Sequence, residues 1–338
     1  MRIAPGLTIN LSKSGPSLSV GGRGGHVTLG GSRGRRTTIG LPGTGLYWTT
    51  VHRQTPSPSR SPTSATIGVL QARQKLTLSF FRRRVTPADE QAFVDGCRAL
   101  LDGDHGTALD HMRAATHLAD GAFMAGCLAL EAGAIEEAAT DLEAAVGAAD
   151  RLGSTADRYG ITTSLVLPIT DEISASLEPS LEGALLALVE AYQRLGRTND
   201  AVAALRRLQA LALDDPVVRL SLAELLVQGQ PAERAAHEEA ARLGENVTND
   251  SAIHAALRLY RARAMRELGL PDAATTLLSE TLRRTADRPV ELLHALRYER
   301  ALAYEAAGQA KRARADLERL YAEAPDYEDV AKRLGMTT

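Results

Sequence analysis

The chain is poor in three things: aromatic rings, cysteine and, over its first quarter, acid. Of 338 residues only four are Phe, one is Trp and eight are Tyr. So few rings exclude a single large aromatic core, and the abundant alanine favours helices packed through small side chains. Two cysteines exclude a disulfide framework. No apolar run approaches the roughly 20 residues that span a bilayer. The opening MRIAPGLTINLSKSG lacks the continuous apolar stretch of a secretory signal, so a cytoplasmic location is expected. The sequons at Asn246-Val247-Thr248 and Asn249-Asp250-Ser251 are then chance matches. The first acid is Asp89; residues 1–88 hold thirteen Lys or Arg and the remainder holds 26 against 41 acids, so a net charge of −2 hides two oppositely charged parts. Such asymmetry points to an anionic partner for the head, to a head that docks on its own acidic body, or to unevenly placed solubility charge.

Residues 7–51 alternate with the period-two pattern of half-buried strands. Leu7, Ile9 and Leu11 alternate with Thr8, Asn10 and Ser12; Leu18 and Val20, Val27 and Leu29, Ile39 and Leu41, then Leu46 and Trp48 continue it. Each segment ends in turn residues: Ser14-Gly15-Pro16, Gly21-Gly22, Gly30-Gly31 and Pro42-Gly43-Thr44-Gly45. Five short strands in an antiparallel meander are expected, and a disordered arginine–glycine tail would not keep this register. Lys13 lies in the first connection, and Arg33, Arg35 and Arg36 lie in or beside the third. Odd connections share one end of a meander, so these charges would converge, with Tyr47 adding aromatic surface. Guanidinium groups beside aromatics can hold phosphate and stack bases. Trp48 reads more simply as the core of the small sheet.

The runs Asn10-Leu11-Ser12-Lys13-Ser14-Gly15 and Leu41-Pro42-Gly43-Thr44-Gly45-Leu46 resemble the N-terminal module of bacterial domain-of-unknown-function family 4236. The resemblance covers about the first fifty residues and carries no functional residues with it. Relative to that family's pattern, a short basic-aromatic strand before Arg2-Ile3-Ala4-Pro5-Gly6 is missing.

Residues 52–66, HRQTPSPSRSPTSAT, read as a flexible Pro/Ser linker. The basic segment 67–85 reads either as a helix or, at LTLSFF, as a strand. Thr86-Pro87-Ala88-Asp89 is a helix start, with Thr86 as the expected N-cap and Pro87 in the first turn.

From Asp89 the chain repeats itself. Gly96-Cys97-Arg98-Ala99-Leu100 returns as Gly126-Cys127-Leu128-Ala129-Leu130, each followed by a turn glycine, Gly103 or Gly133, and then by Ala108 or Ala138. The turn is expected again at Gly196, Gly229, Gly269 and Gly308. Paired helices at periods of 30 to 40 residues mean a solenoid. The pairs resemble tetratricopeptide repeats, most clearly over 294–327 with Ala301, Tyr304, Ala313 and Pro325. Residues 182–215 keep Leu188, Tyr192 and Ala201, and 255–288 keep Ala262 and Ala274. The repeat around Gly229 matches least, its alanine slipping to Ala235 or Ala236. Between Gly133 and Gly196 the spacing is too long for one repeat, and an insertion is expected at about 154–180. Within it, Leu165, Leu167 and Ile169, then Ile173 and Leu177, alternate as a β-hairpin turning near Thr170-Asp171-Glu172. It reads as a recognition element or as a cover for helix ends.

No catalytic signature stands out. Cys97 and Cys127 fall at equivalent repeat positions on helices whose axes would lie ~8–10 Å apart, so they read as small buried hydrophobes. His105, His111 and His117 are spaced by six, unlike the i, i+4 pair of a helical zinc site, and read as solvated or capping. Gly40, Gly43 and Gly45 open no helix and make no dinucleotide fingerprint. Glu143, Glu190 and Glu267 read as solvent-face carboxylates beside arginines. The expected protein is mainly α, a tetratricopeptide-like solenoid over 86–335 with a β-module over 1–51, acting without catalysis, metal or cofactor. The tetratricopeptide resemblance implies a peptide or protein partner in a groove lined by the first helices, at Glu190, Gln193, Arg194, Arg263, Arg266 and Tyr298. The alternatives are binding of nucleic acid or another polyanion by Lys13, Arg33, Arg35, Arg36 and Tyr47, or docking of the head on the acidic repeats.

Overall fold

A computed structural model describes residues 85–159, 179–211, 215–229, 233–286 and 288–336. The meander expected over 7–51, the linker 52–66, the basic segment up to Arg84 and the hairpin expected over 165–177 lie outside the described residues. Two compact units divide between Leu211 and Ala212.

The N-terminal unit contains α1 (Ala88–Leu101), α2 (His105–Arg113), α3 (Ala119–Ala132), α4 (Ile135–Gly147), the short α5 (Ser154–Tyr159), α6 (Leu181–Arg194) and α7 (Thr198–Leu211). Helices α1 and α2, α3 and α4, and α6 and α7 pack as successive hairpins, and α4 packs on α6. The hairpins close because glycine takes the left-handed conformation after each first helix, at Gly103 (φ 77°), Gly133 (φ 81°) and Gly196 (φ 69°). Small residues set the seams. A Cβ on Gly126 would lie 2.6 Å from Leu142 Cγ and 3.1 Å from the Ala138 carbonyl oxygen. A Cβ on Gly96 would lie 2.8 Å from Met112 Cε. The repeated Gly-Cys-x-Ala-Leu thus marks where one helix of a pair must approach the next. Cys97 and Cys127 are free and buried beside these glycines, and burial pushes the Cys97 thiol up to about 12. The first helix begins one residue later than Thr86 suggests: Pro87 is the N-cap, with no side chain to cap, and the Gln91 amide instead reaches back to the Thr86 carbonyl at 2.8 Å.

The expected insertion opens with a helix. Asp120, fully buried at the start of α3, accepts the backbone N–H groups of Gly153 (2.5 Å), Thr155 (2.9 Å) and Ala156 (2.9 Å). One carboxylate therefore supplies acceptors for the orphan donors at the head of α5, from more than thirty residues upstream. At the other end, Arg158 and the Tyr159 hydroxyl both donate to Glu90 on α1.

The C-terminal unit contains α8 (Pro216–Gly229), α9 (Arg234–Leu243), α10 (Ala252–Glu267), α11 (Pro271–Thr281), α12 (Val290–Ala306), α13 (Ala310–Glu323) and α14 (Val330–Arg333). Helices α8 and α9, α10 and α11, and α12 and α13 pair, and α8, α10 and α12 pack in series. Gly269 (φ 81°) and Gly308 (φ 72°) close two hairpins as expected. Gly229 does not: it is the last residue of α8 and takes no left-handed turn. Val330 of α14 is buried with Ala301, Leu317 and Leu320, against Tyr298, Tyr321, Tyr327 and Leu334, and so covers the last pair.

The link from α9 to α10 carries its left-handed residue at Asn246 (φ 56°) and is tied by arginines. Arg219 donates to the Leu243 carbonyl at 2.9 Å, Arg261 to Gly244 at 3.0 Å, Arg258 to Val247 at 3.0 Å and Arg288 to Asn249 at 2.7 Å. Guanidinium forks thus satisfy carbonyls that the end of α9 and the following loop leave open.

Candidate functional site

The first helix of each pair carries polar side chains at repeated steps, and the two units treat them differently. In the N-terminal unit, Ser180 caps α6 by accepting the Gly183 N–H at 3.0 Å, and Ala184, Leu185, Ala187 and Leu188 bury its packed face. One turn further on, Glu190 is 3% exposed. This corrects the expectation of a solvent-face carboxylate, because packing on α3 and α4 closes around it; Glu143 and Glu267 are exposed as expected. Arg194 donates through Nε to Glu190 Oε1 and through Nη1 to the Leu130 carbonyl at 3.1 Å. Burial raises the Glu190 carboxyl to about 7 against the downward pull of Arg194. Its second oxygen, Oε2, has no hydrogen-bond partner, nor has the nearby amide Nε2 of Gln193; both atoms are shielded from water. Tyr192 donates to Glu143 at 2.9 Å, and the Arg197 guanidinium sits 4.4 Å from its ring centre.

In the C-terminal unit a connected set runs along α8, α10 and α12. Glu224, 3% exposed, accepts the Tyr260 hydroxyl at 2.9 Å, and Gln228 donates to that hydroxyl at 3.0 Å. Burial raises Glu224 to about 8, outweighing the Tyr260 bond and the charge of Arg263. Its Oε2 also lacks a partner. The Arg263 guanidinium lies 5.1 Å from the Tyr260 ring centre and donates to Glu299 at 3.1 Å; Arg266 donates to the other oxygen of Glu299 at 2.7 Å. Two arginines therefore share one buried carboxylate. Tyr298 donates to Asp329 at 2.5 Å, and Arg333 donates to the same carboxylate at 2.7 Å. Burial first, and then the Asp329 bond, lift Tyr298 to about 12.

Of the residues expected to line a groove, Glu190, Gln193 and Arg194 sit together on α6, and Arg263 and Arg266 meet on Glu299, while Tyr298 belongs to the cluster with Tyr327 and Asp329. Lys13, Arg33, Arg35, Arg36 and Tyr47 lie outside the described residues. Sequence reasoning missed Glu224, Tyr260 and Glu299. Glu224 lies 34 residues after Glu190, one full repeat, which was the available signal. Of the three histidines, His105 pairs with Glu131 at 2.9 Å and His117 is exposed. Among the described residues no group of His, Cys, Asp or Glu is placed to hold a metal ion, and no helix is long and apolar enough to cross a membrane.

Residues 1–49 match the family described as protein of unknown function (DUF4236). No curated protein matches the chain. Solved structures similar to the chain include the N-terminal domain of the EccA1 ATPase from the ESX-1 secretion system of Mycobacterium tuberculosis, at 17% identity over 74% of this chain and 91% of that one, with a TM-score of 0.43. They also include a thermophilic tetratricopeptide protein of Thermus thermophilus, at 16% identity over 73% and 97% with a TM-score of 0.34. A tetratricopeptide repeat protein of Parabacteroides merdae matches at 16% identity over 74% and 98%, with a TM-score of 0.35. Residues 1–49 are thus similar to family 4236, and the described residues beyond them are mainly helical and arranged in pairs. The pairs stand on their own geometry: left-handed turn glycines, small-residue seams and a covering last helix.

Proposed function

We propose that this chain is a non-catalytic scaffold that holds a peptide or protein partner along the first helices of its repeats. What supports the reading is the iterated hairpin itself, whose packing is spent on presenting one face again and again. The groove residues of this reading are Glu190, Gln193 and Arg194 in the N-terminal unit, where Glu190 is buried and Arg194 is a third exposed, and Arg263 and Arg266 in the C-terminal unit, with Tyr298 near the end. Residues 1–51 form a β-module by this reading, on the strength of their alternation; 52–66 are its linker, 67–85 a basic connection, and 165–177 a hairpin within the insertion at 154–180. The location is cytoplasmic and the source bacterial. Affinity capture of the tagged full chain, with mass spectrometry, tests it: a defined set of proteins above an empty-tag control is expected, and their absence sinks it.

The +13 head against a −15 body keeps a second reading in play, in which Lys13, Arg33, Arg35, Arg36 and Tyr47 hold a polyanion and the repeats recruit proteins to it. A fluorescent single-stranded oligonucleotide titrated with the full chain should then lose affinity steeply as salt rises. No binding at low salt removes that reading. Docking of the head on the repeats would instead make the chain's radius of gyration grow with salt.

A further inference from the structure

Helices α3 and α6 are enclosed on every side. Each residue from Ala119 to Leu130 on α3, and from Gly183 to Tyr192 on α6, is buried. The C-terminal unit differs. There α10 is flanked by α8, α9, α11 and α12, yet His254, Arg258, Arg261 and Met265 stay partly open along one side. The composition of the helices matches this contrast. From Gly121 to Leu130 α3 carries no charged side chain, and α6 carries none from Gly183 to Val189, whereas α10 interleaves its apolar residues with Arg258, Arg261, Arg263 and Arg266. A helix that is apolar all round has to be covered all round. What the N-terminal unit has in addition is the stretch between α4 and α6, two helices that pack directly on each other without it.

That stretch leaves the helical pairs and comes back at one place: a Cβ on Gly153 would lie 3.7 Å from the Pro179 carbonyl oxygen. Its first part, α5, is fastened to the starts of α3 and α1 by Asp120 and Glu90. From Tyr159 the chain must return to Ser180, the N-cap of α6, and on the way it carries Leu165, Leu167, Ile169, Ile173 and Leu177 at alternate positions. We propose that residues 160–178 lie across the first-helix faces of α3 and α6 with those apolar side chains inward, so that the chain itself occupies this part of its groove. By the period of two, Ser174 and Ser176 turn outward. The placement does not depend on the scaffold reading. Taken with it, a partner reaches α6 only by displacing the chain's own segment.

Leu167→p-benzoylphenylalanine in the full chain, irradiated and sequenced by mass spectrometry, tests the placement directly. Crosslinks should fall between Ala119 and Leu130, and the same label at Ser176 should give far fewer there. Crosslinks confined to the C-terminal unit, to residues 1–84 or to a second chain overturn it. In a chain whose residues 161–177 are replaced by a short Gly-Ser link, the amides of α3 should exchange with deuterium about tenfold faster, while α10 and α12 keep their rates. Unchanged exchange in α3 also overturns the placement, and leaves the head or a second copy as the cover. If the link unfolds the whole chain, α10 and α12 speed up as well, and the crosslinks in the full-length chain then decide. Affinity capture that recovers no partner removes the scaffold reading and leaves crosslinks to α3 unaffected. Crosslinks elsewhere, with partners still captured, remove the placement and leave the scaffold standing.

Discussion

Glu190 and Glu224 occupy the same step of the repeat, one in each unit, and their surroundings have diverged. Both are 3% exposed, and both keep an oxygen without a partner. Glu190 leans on an arginine from its own helix that is anchored to a neighbouring carbonyl. Glu224 is held by a tyrosine and borders a pair of arginines that a different carboxylate, Glu299, neutralises. The lesson is that a repeat position fixes where a side chain points, while its charge state and partners depend on which residues the neighbouring helices bring.

The largest break in that comparison is Glu299→Ala. It leaves Arg263 and Arg266 beside a vanished buried counter-charge, and about 3–5 kcal/mol of stability should be lost in urea unfolding. Arg194→Ala in the N-terminal unit should cost less, because its head is a third exposed. Next comes Gly126→Ala, whose new methyl would press on Leu142 and cost about 1–3 kcal/mol by the same measurement. Gly103→Ala meets open space and suffers only from its left-handed backbone, at about 1 kcal/mol.

Glu190→Gln and Glu224→Gln sharpen the contrast through pH. Both carboxyls are raised in the fold, to about 7 and about 8. Between the ordinary glutamate value near 4.3 and those folded values the native state binds more protons than the unfolded one, so each acid makes stability fall as pH rises. A glutamine does not titrate. Each variant should gain on wild type across that window, by on the order of 1–3 kcal/mol, and hold the gain above it. The gain of Glu224→Gln should continue to a higher pH than that of Glu190→Gln, as melting series from pH 4 to 9 would read. Smallest of all, Arg234→Ala removes an exposed pair with Glu238 and should move stability by less than about 0.5 kcal/mol.

The repeats were legible because they depend on local spacing. A glycine after a helix and small residues at a seam announce themselves in sequence, and Gly96, Gly103, Gly126 and Gly133 sit as their pattern requires. Gly229 carried the same letter without the turn, since α8 runs through to it. That slip hid the register that would have paired Glu224 with Glu190. Burial was less legible. Glu190 reads as a surface acid until the packing of α3 and α4 is known. Asp120 was invisible for a related reason: its three donors come from the start of a helix more than thirty residues away. Of the groove expectations, Glu190, Gln193 and Arg194 follow one another along α6, and the bond between Glu190 and Arg194 and the burial of the acid could not be read from letters.

The arginine-tied link between α9 and α10 has a consequence for protease digestion. Trypsin must draw a guanidinium into its own pocket, and a head already bonded to carbonyls has to be released first. Arg288 lies in a connection between helices, where cutting is ordinarily easy, yet it is only 9% exposed and bonded to Asn249. In a timed digestion of the native chain it should therefore be among the late sites. Early cleavage at Arg288 would report that the knot around Asn249 had opened before the helices did.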